Sequence, residues 1–367
     1  MDFDKFKIHH IKLPMKEAWE TSEETFEDKH VVVLAGKKHG KWFYGEATSQ
    51  KLPIYNHEDI ETNIHFIEEY VIPAIKKSSS IKEYHENIGI YSGHPMAKAA
   101  GDFLLYHLKS FEEDQPISEL IGGKNKKVEC GVSIGIKKNP KEAFKTAENY
   151  LEKGYNRLKL KIKPGKDFKY VKAVKETFPE VEISVDANSA YSLEDLQQLK
   201  KLEKFDPEMI EQPLGAYDII NHSKLAEKLQ IPICLDESIK SPEDAKKALE
   251  NNACSIVNLK PQRVGGLYPS KEINNVCKEQ NASMWIGGLL ESGIGQSFAI
   301  SAASLSEVNH PCDIAPSTRY FDEDVLKKSI EMRANGEIDI PKTPGLYSPV
   351  DQKKISKLSV KTIEGEI

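Results

Sequence analysis

The chain has 367 residues, with 39% hydrophobic and 29% charged positions and a formal net charge of -6. That length supports a barrel-sized core plus a smaller second domain. The acidic balance argues against a nucleic-acid partner, which needs a basic face, and no apolar run approaches the ~20 residues that cross a bilayer.

Cys130, Cys234, Cys254, Cys277 and Cys312 are odd in number and form no CxxC pair. They read as reduced thiols in a cytoplasmic protein. The charged start, Met1-Asp2-Phe3-Asp4-Lys5, carries no apolar core of a secretory signal.

In chain order, residues 6–13, 30–35 and 42–48 read as an antiparallel strand group, followed by helical stretches at 59–76 and 96–111, with a polar break at 76–80. This α+β region, residues 1–127, is expected to form a cap. From residue 128 a different rhythm sets in. Short apolar runs at 130–135, 157–162, 182–187, 207–212, 232–237, 255–260, 283–288 and 312–317 alternate with helical segments. Leu193, Leu196, Leu199 and Leu202 recur every third residue, and Ser192 with Asp195 and Ser241 with Asp244 look like capping boxes at helix starts. Strands alternating with helices predict an α/β fold, a modified (β/α)8-type barrel over residues 128–320. The Pro-, Lys- and Glu-rich residues 321–367 are expected to return to the cap.

Chemistry in a barrel sits at the C-terminal ends of its strands. There the sequence places Lys159 and Lys161, then Asp186, Glu211, Asp236 and Lys260, the last four spaced by 25, 25 and 24 residues. Any one of these acids alone reads as a solvated loop residue or helix cap. Three on successive strand ends repel one another unless a cation lies between them. Hard oxygen donors suit Mg²⁺, with Mn²⁺ able to substitute. Lys159 and Lys161 point the same way about 6.6 Å apart and repel by about 2.5 kcal/mol at an effective dielectric near 20. That makes Lys161 the candidate base, with Lys260 facing it. An isolated KxK would be a surface strand edge, and Lys163, before Pro164-Gly165, is expected to be solvated. Such a set serves proton abstraction next to a carboxylate.

Other signals are weaker. Gly131-Val132-Ser133-Ile134-Gly135 matches a GxSxG elbow but falls inside a strand, and His222 and His310 look isolated. Gly265-Gly266 and Gly287-Gly288 read as tight exits from strands, since neither forms a phosphate-binding motif. Arg263 reads equally as a charge behind Lys260 or a surface ion pair. Trp19 and Tyr55 could form an apolar lid, with ordinary cap packing the default.

The order KxK, Asp, Glu, Asp, Lys resembles the muconate-lactonizing subgroup of the enolase superfamily, and within it the o-succinylbenzoate synthase/N-succinylamino acid racemase family. The stretches are RLKLKIKPG (157–165), SVDANSAYS (184–192), IEQPL (210–214), PICLDESI (232–239), NLKPQRVGG (258–266) and GGLLESGIG (287–295), with GHPMAKAA (93–100) in the cap. The resemblance implies Lys161 as base, Lys260 as the opposite lysine, and Asp186, Glu211 and Asp236 as metal ligands. It brings Lys159, Ser133 and Asn188 to the substrate, and the backbone of Gly288 and Leu290 to the substrate's remote carboxylate. It implies a homo-oligomer acting on a small-molecule carboxylate. The reaction would be dehydration of a cyclohexadiene carboxylate to o-succinylbenzoate, for menaquinone biosynthesis. N-succinylamino acid racemisation or dipeptide epimerisation by the same lysines is the alternative. A non-catalytic scaffold would show degraded strand ends, and all five key positions are intact. One departure is acidic: Glu23-Glu24 in the loop over 19–30, where many relatives have an apolar and glycine pair.

Overall fold

The computed structural model describes residues 2–20 and 25–365. Glu23 and Glu24, and the side chain of Trp19, lie outside the described residues. Along the chain come β1 (Lys5–Glu20), β2 (Thr25–Lys38), β3 (Lys41–Ala47), β4 (Lys127–Glu129), β5 (Gly131–Ile134), β6 (Arg157–Lys161), β7 (Glu182–Asp186), β8 (Ile210–Glu211), β9 (Ile233–Leu235), β10 (Ile256–Leu259), β11 (Ser283–Ile286), β12 (Glu337–Asp339) and β13 (Ser359–Gly365).

β1, β2 and β3 form an antiparallel sheet whose outer strand is β13, in the order β13-β1-β2-β3. The last strand of the chain therefore pairs with the first. Helix Pro95–Glu112 crosses this sheet with Ala97, Ala99, Ala100, Phe103 and Leu104 buried. The predicted helix over 59–76 is interrupted: Ile60–Phe66 loosens into a π turn at Ile67–Val71 and resumes as Ile72–Lys77. Pro73 lacks the amide that would continue the α ladder, which accounts for the looser turn. The polar break at 76–80 starts a helix that the sequence reading omitted, Ile81–Gly89, capped by Ser80 accepting from Glu83 N at 3.1 Å. The leucine run at 193–202 forms a 3-10 turn, Leu193–Asp195, and one short helix, Leu196–Lys200. A spacing of three residues suits the 3.0-residue period of a 3-10 turn as well as an α-helix.

The strands β5 to β11 form one parallel sheet in sequential order. The eighth predicted strand, 312–317, is not a regular strand. Instead the segment through residues 307–313 joins the two edges. Cys312 N donates to Glu129 O at 2.7 Å and Gly131 N to Cys312 O at 2.8 Å, while Asp313 N donates to Ile286 O at 2.9 Å. This irregular eighth stave, which contains Pro311, closes a modified barrel. β12 pairs antiparallel with β4 beside it.

Two buried acids of the cap seal it to the barrel. Glu46, on β3, accepts from Ser292 N at 3.1 Å and Gly295 N at 3.2 Å, and from the Ser292 hydroxyl. It thereby satisfies the free amides of barrel helix Gly293–Ala302. Asp102, on the cap helix Pro95–Glu112, does the same for helix Leu267–Glu279, accepting from Leu267 N at 2.6 Å and Tyr268 N at 3.3 Å. Gly266, at φ 124°, leaves room for it, because a Cβ there would run into Asp102 Cγ. The N-termini of two barrel helices are thus used as docking points for cap acids.

Candidate active site

Alternation along β6 turns Arg157, Lys159 and Lys161 into the barrel, one above another. Arg157 fills the lower interior, its guanidinium 4.8 Å from the Trp285 ring and donating to Ser184 Oγ at 3.0 Å. Lys159 is also buried, and its amine meets Glu211 at 2.8 Å, Asp313 at 3.0 Å and Asp186 at 3.4 Å. Burial pushes the Lys159 amine down, but Asp313, Glu211 and Asp186 outweigh it and fix the ammonium form. Lys161, nearest the mouth, stands 3.2 Å from Asp186 and donates also to Asn188 Oδ1.

The acids rise around the rim. Asp186 is in register with Lys161 on one side and Glu211 on the other. Glu211, however, pairs with Cys234, so Asp236 sits two residues further along. Tilted strands require such a shift to keep rim residues at one height. Lys260 then reaches across to Asp236 at 2.8 Å. Gly287 allows its passage, since a Cβ there would lie 2.7 Å from Lys260 Cε.

Lys159, Lys161, Lys260, Asp186, Asp236, Ser133, Asn188, Gly288 and Leu290 all line one cavity of about 790 Å³. Glu211 differs: it lies fully buried behind Lys159, its second oxygen accepting from Asn258 Nδ2 at 2.6 Å. The backbone is strained here, with Asn188 (φ 40°), Gln212 (φ 37°) and Leu290 (φ 61°) in the left-handed region.

Several contributors went unnoticed in the sequence. Asp313 binds both Lys159 and the Ser133 hydroxyl, the latter at 2.6 Å. It lies near the start of the predicted run 312–317, whereas the site was sought at the C-terminal ends of the strands. Gln212 accepts from Asp236 N at 3.0 Å and Ser238 N at 3.2 Å, shaping the turn that presents Asp236. Its place beside Glu211 was the available signal. Glu237 accepts from Asn188 Nδ2 at 3.0 Å.

Arg263 is buried and paired with Asp236, not a surface ion pair. Tyr55 lines the cavity with its hydroxyl accepting from Arg263 at 3.2 Å, beyond ordinary cap packing. His310 is not isolated. It bridges Ser283 Oγ at 2.7 Å and Glu208 Oε1 at 2.6 Å, at the start of the strands and away from this cavity. The GxSxG serine, Ser133, pairs with an acid and no histidine.

Charge at the rim is unevenly shared. Burial, then Asp186, pushes the Glu211 carboxyl up to about 8 against the pull of Lys159. Burial also raises Asp236, but Lys260 and Arg263 more than offset it and hold the carboxyl well below its usual range. Lys260 is pushed down by burial and up further by Asp236, so its ammonium is favoured. Among the described residues, no three His, Cys, Asp or Glu groups converge as they stand on a single point, because lysine amines occupy their oxygens. The donor set still fits a hard dication: three carboxylates stand on neighbouring strands, one of them raised to about 8 by burial and then by Asp186, and a cation relieves both the burial of charge and the repulsion.

A sheet-and-helix cap over a parallel barrel, with three successive acids flanked by lysines at the rim, defines an enolase-type enzyme. Residues 142–354 match the family described as Enolase C-terminal domain-like. The chain is 36% identical to an o-succinylbenzoate synthase of Bacillus subtilis over 372 residues, covering 100% of both. It is 34% identical to an N-succinylamino acid racemase of Thermus thermophilus, covering 94% of each. A solved enolase-superfamily member from Listeria innocua superposes with a TM-score of 0.94 at 34% identity, covering 99% of each chain. A dipeptide epimerase from Cytophaga hutchinsonii, solved with Mg and a dipeptide, shares the fold at a TM-score of 0.90 and 22% identity, over 99% of this chain and 100% of that one. The chain belongs to the enolase superfamily, in the family of o-succinylbenzoate synthases and N-succinylamino acid racemases.

Proposed function

We propose that this chain is an o-succinylbenzoate synthase, a carbon–oxygen lyase acting on a cyclohexadiene carboxylate. The carrying observation is that Lys161 and Lys260 line one cavity from β6 and β10, each beside a different carboxylate, Asp186 and Asp236. Asp186, Glu211 and Asp236 would hold the metal, Mg²⁺ or Mn²⁺ in its place, which when bound supplies positive charge where the substrate carboxylate becomes more negative.

Lys161, as the neutral amine, takes the proton alpha to the carboxylate. The same nitrogen then gives that proton to the hydroxyl leaving the neighbouring carbon on the same face. Water departs, a carbon–carbon double bond completes the aromatic ring, and the amine is neutral again. Asn188 and Asp186 orient the amine through their contacts with it. Lys260 stays an ammonium, held so by Asp236, and stabilises negative charge from the opposite side. Lys159 keeps the Glu211 and Asp313 carboxylates in place beneath the substrate, with Ser133 beside them.

A second reading is N-succinylamino acid racemisation, favoured by the approach of the two amines from strands on opposite sides of the cavity. One lysine removes the alpha proton and the other returns one to the opposite face. Dipeptide epimerisation uses the same exchange. We place the enzyme in the cytoplasm as a homo-oligomer, with residues 1–127 and 321–367 as cap and 128–320 as barrel. No described helix is long and apolar enough to cross a membrane.

The test is turnover of the cyclohexadiene substrate and of N-succinylamino acids, with alpha-proton exchange followed in D₂O. Dehydration by the wild type, abolished in Lys161→Ala, supports the synthase. Exchange without dehydration would transfer the reading to the racemase.

A further inference from the structure

We propose that Glu237 is a positioning residue: by holding the nitrogen of the Asn188 carboxamide, it keeps the amide oxygen turned to Lys161 and so aims the base's lone pair at the substrate. This rests on the functional reading above, in which Lys161 removes the alpha proton.

A neutral lysine amine has two N–H groups and one lone pair. Lys161 Nζ donates to Asp186 Oδ2 at 3.2 Å and to Asn188 Oδ1. Both N–H groups are then spent on protein acceptors, and the lone pair is left to face the cavity that Lys161 lines. Turned end for end, the Asn188 carboxamide would offer Nδ2 to the same amine. An amide nitrogen only donates, so it would take up the lone pair and quench the base.

Nothing within Asn188 selects the right way round. The two ends of a carboxamide have nearly the same shape, and the torsion that exchanges them is broad. The backbone is fixed, at φ 40° with Asn188 N donating to Asp186 Oδ1 at 3.0 Å, but the end of the side chain stays free to turn. The choice falls to Glu237, two residues past β9, whose Oε1 accepts from Asn188 Nδ2 at 3.0 Å. A carboxylate has no N–H to offer, so the flipped amide would set oxygen against oxygen. The other carboxyl oxygen, Oε2, is buried with no hydrogen-bond partner among the described residues. A proton taken up by the carboxyl would sit there and leave Oε1 an acceptor. Lys161 on β6, Asn188 beyond β7 and Glu237 beyond β9 thus form one chain of contacts around the rim, and all three line the cavity.

The experiment uses the full chain over a range of Mg²⁺ concentrations. It follows alpha-proton exchange of N-succinyl-L-phenylalanine in D₂O and dehydration of the cyclohexadiene substrate. Glu237→Met and Glu237→Ala remove the acceptor, and kcat should fall by roughly 10-fold, the worth of one hydrogen bond, with KM changed less than about 3-fold. Glu237→Gln, which can still turn a carbonyl to Asn188 Nδ2, should keep kcat within about 3-fold of the wild type. Asn188→Gly suits the positive φ and removes the carboxamide. In that background Glu237→Met should lower kcat no further. Wild-type kcat in Glu237→Met or Glu237→Ala overturns the proposal. So does an equal loss with and without the Asn188 side chain, or a loss that raising Mg²⁺ reverses, which would assign Glu237 to holding the metal. A wild-type enzyme that neither exchanges nor dehydrates overturns the functional reading itself and this proposal with it.

Discussion

Lys159 Nζ lies 2.8 Å from Glu211 Oε2, with both side chains almost wholly out of solvent. Of two lysines facing the same way, the lower is therefore bound into the floor of the site, and Lys161, with its side chain 20% exposed, faces the substrate. The two should fail differently. Lys161→Ala should cut dehydration and exchange by roughly 10²- to 10⁴-fold or more with little change in thermal midpoint. Lys159→Met should cost about 3–5 kcal/mol of stability, because Glu211 loses its buried partner. Turnover and thermal melts on both variants check this; a Lys161→Ala enzyme exchanging at the wild-type rate would disprove the base.

Metal removal is the second prediction. Chelation should abolish activity, and Mg²⁺ should restore it, with Mn²⁺ also effective. Glu211→Gln keeps a side chain for Asn258 and Lys159 but loses charge, so apparent Mg²⁺ affinity should fall by roughly 10-fold or more. Calorimetric titration reads this directly. Full activity after exhaustive chelation would remove the metal from the mechanism.

Stability should depend on pH through Glu46. Burial raises its carboxyl from 4.5 to about 7. The folded chain thus keeps a proton that the unfolded chain releases. Stability from this group is greatest below about 4.5, declines as pH rises through that window and levels off above about 7, a loss of about 3 kcal/mol. Glu46→Gln should flatten that slope. Urea melts at pH 5 and pH 8 compare the two proteins; an identical slope would contradict the assignment.

Asp102 should matter for assembly of cap on barrel. Asp102→Ala strips the partner from Leu267 N, Tyr268 N and His85 Nε2 together. With the site fully buried, the loss should be about 2–4 kcal/mol. Denaturant melts measure it, and a value near zero would mean that water replaces the carboxylate.

The Ser283–His310–Glu208 chain should be structural. It lies away from the catalytic cavity, so His310→Ala should leave turnover unchanged and cost about 1 kcal/mol. Covalent labelling of Ser283 by a fluorophosphonate would contradict that reading.

Much of this architecture was legible because barrels repeat. A strand-helix rhythm of roughly 25 residues carries Asp186, Glu211, Asp236 and Lys260 to successive strand ends, and parity two along β6 fixes where Lys159 and Lys161 point. Local pattern failed where structure is held by distant partners. The eighth stave is shaped by bonds to Glu129, Gly131 and Ile286, so the run 312–317 is no regular strand and Asp313, at its start, comes to the site where a strand end was expected. The helix over 59–76 is interrupted at a π turn beside a single proline.

By itself the sequence determined the fold class, the rim acids and lysines, and the family they resemble, since periodicity and spacing are properties of the chain. Only the tertiary structure decided that Lys159 is tied down beneath the cavity, that Arg263 and Asn258 serve buried acids, and that Glu46 and Asp102 of the cap meet the barrel at its seam. Those facts depend on burial and on contacts between residues as much as 249 positions apart, as for Glu46 and Gly295. The free energy of an ion pair or a buried carboxylate is set by what surrounds it in space, and no linear pattern records that.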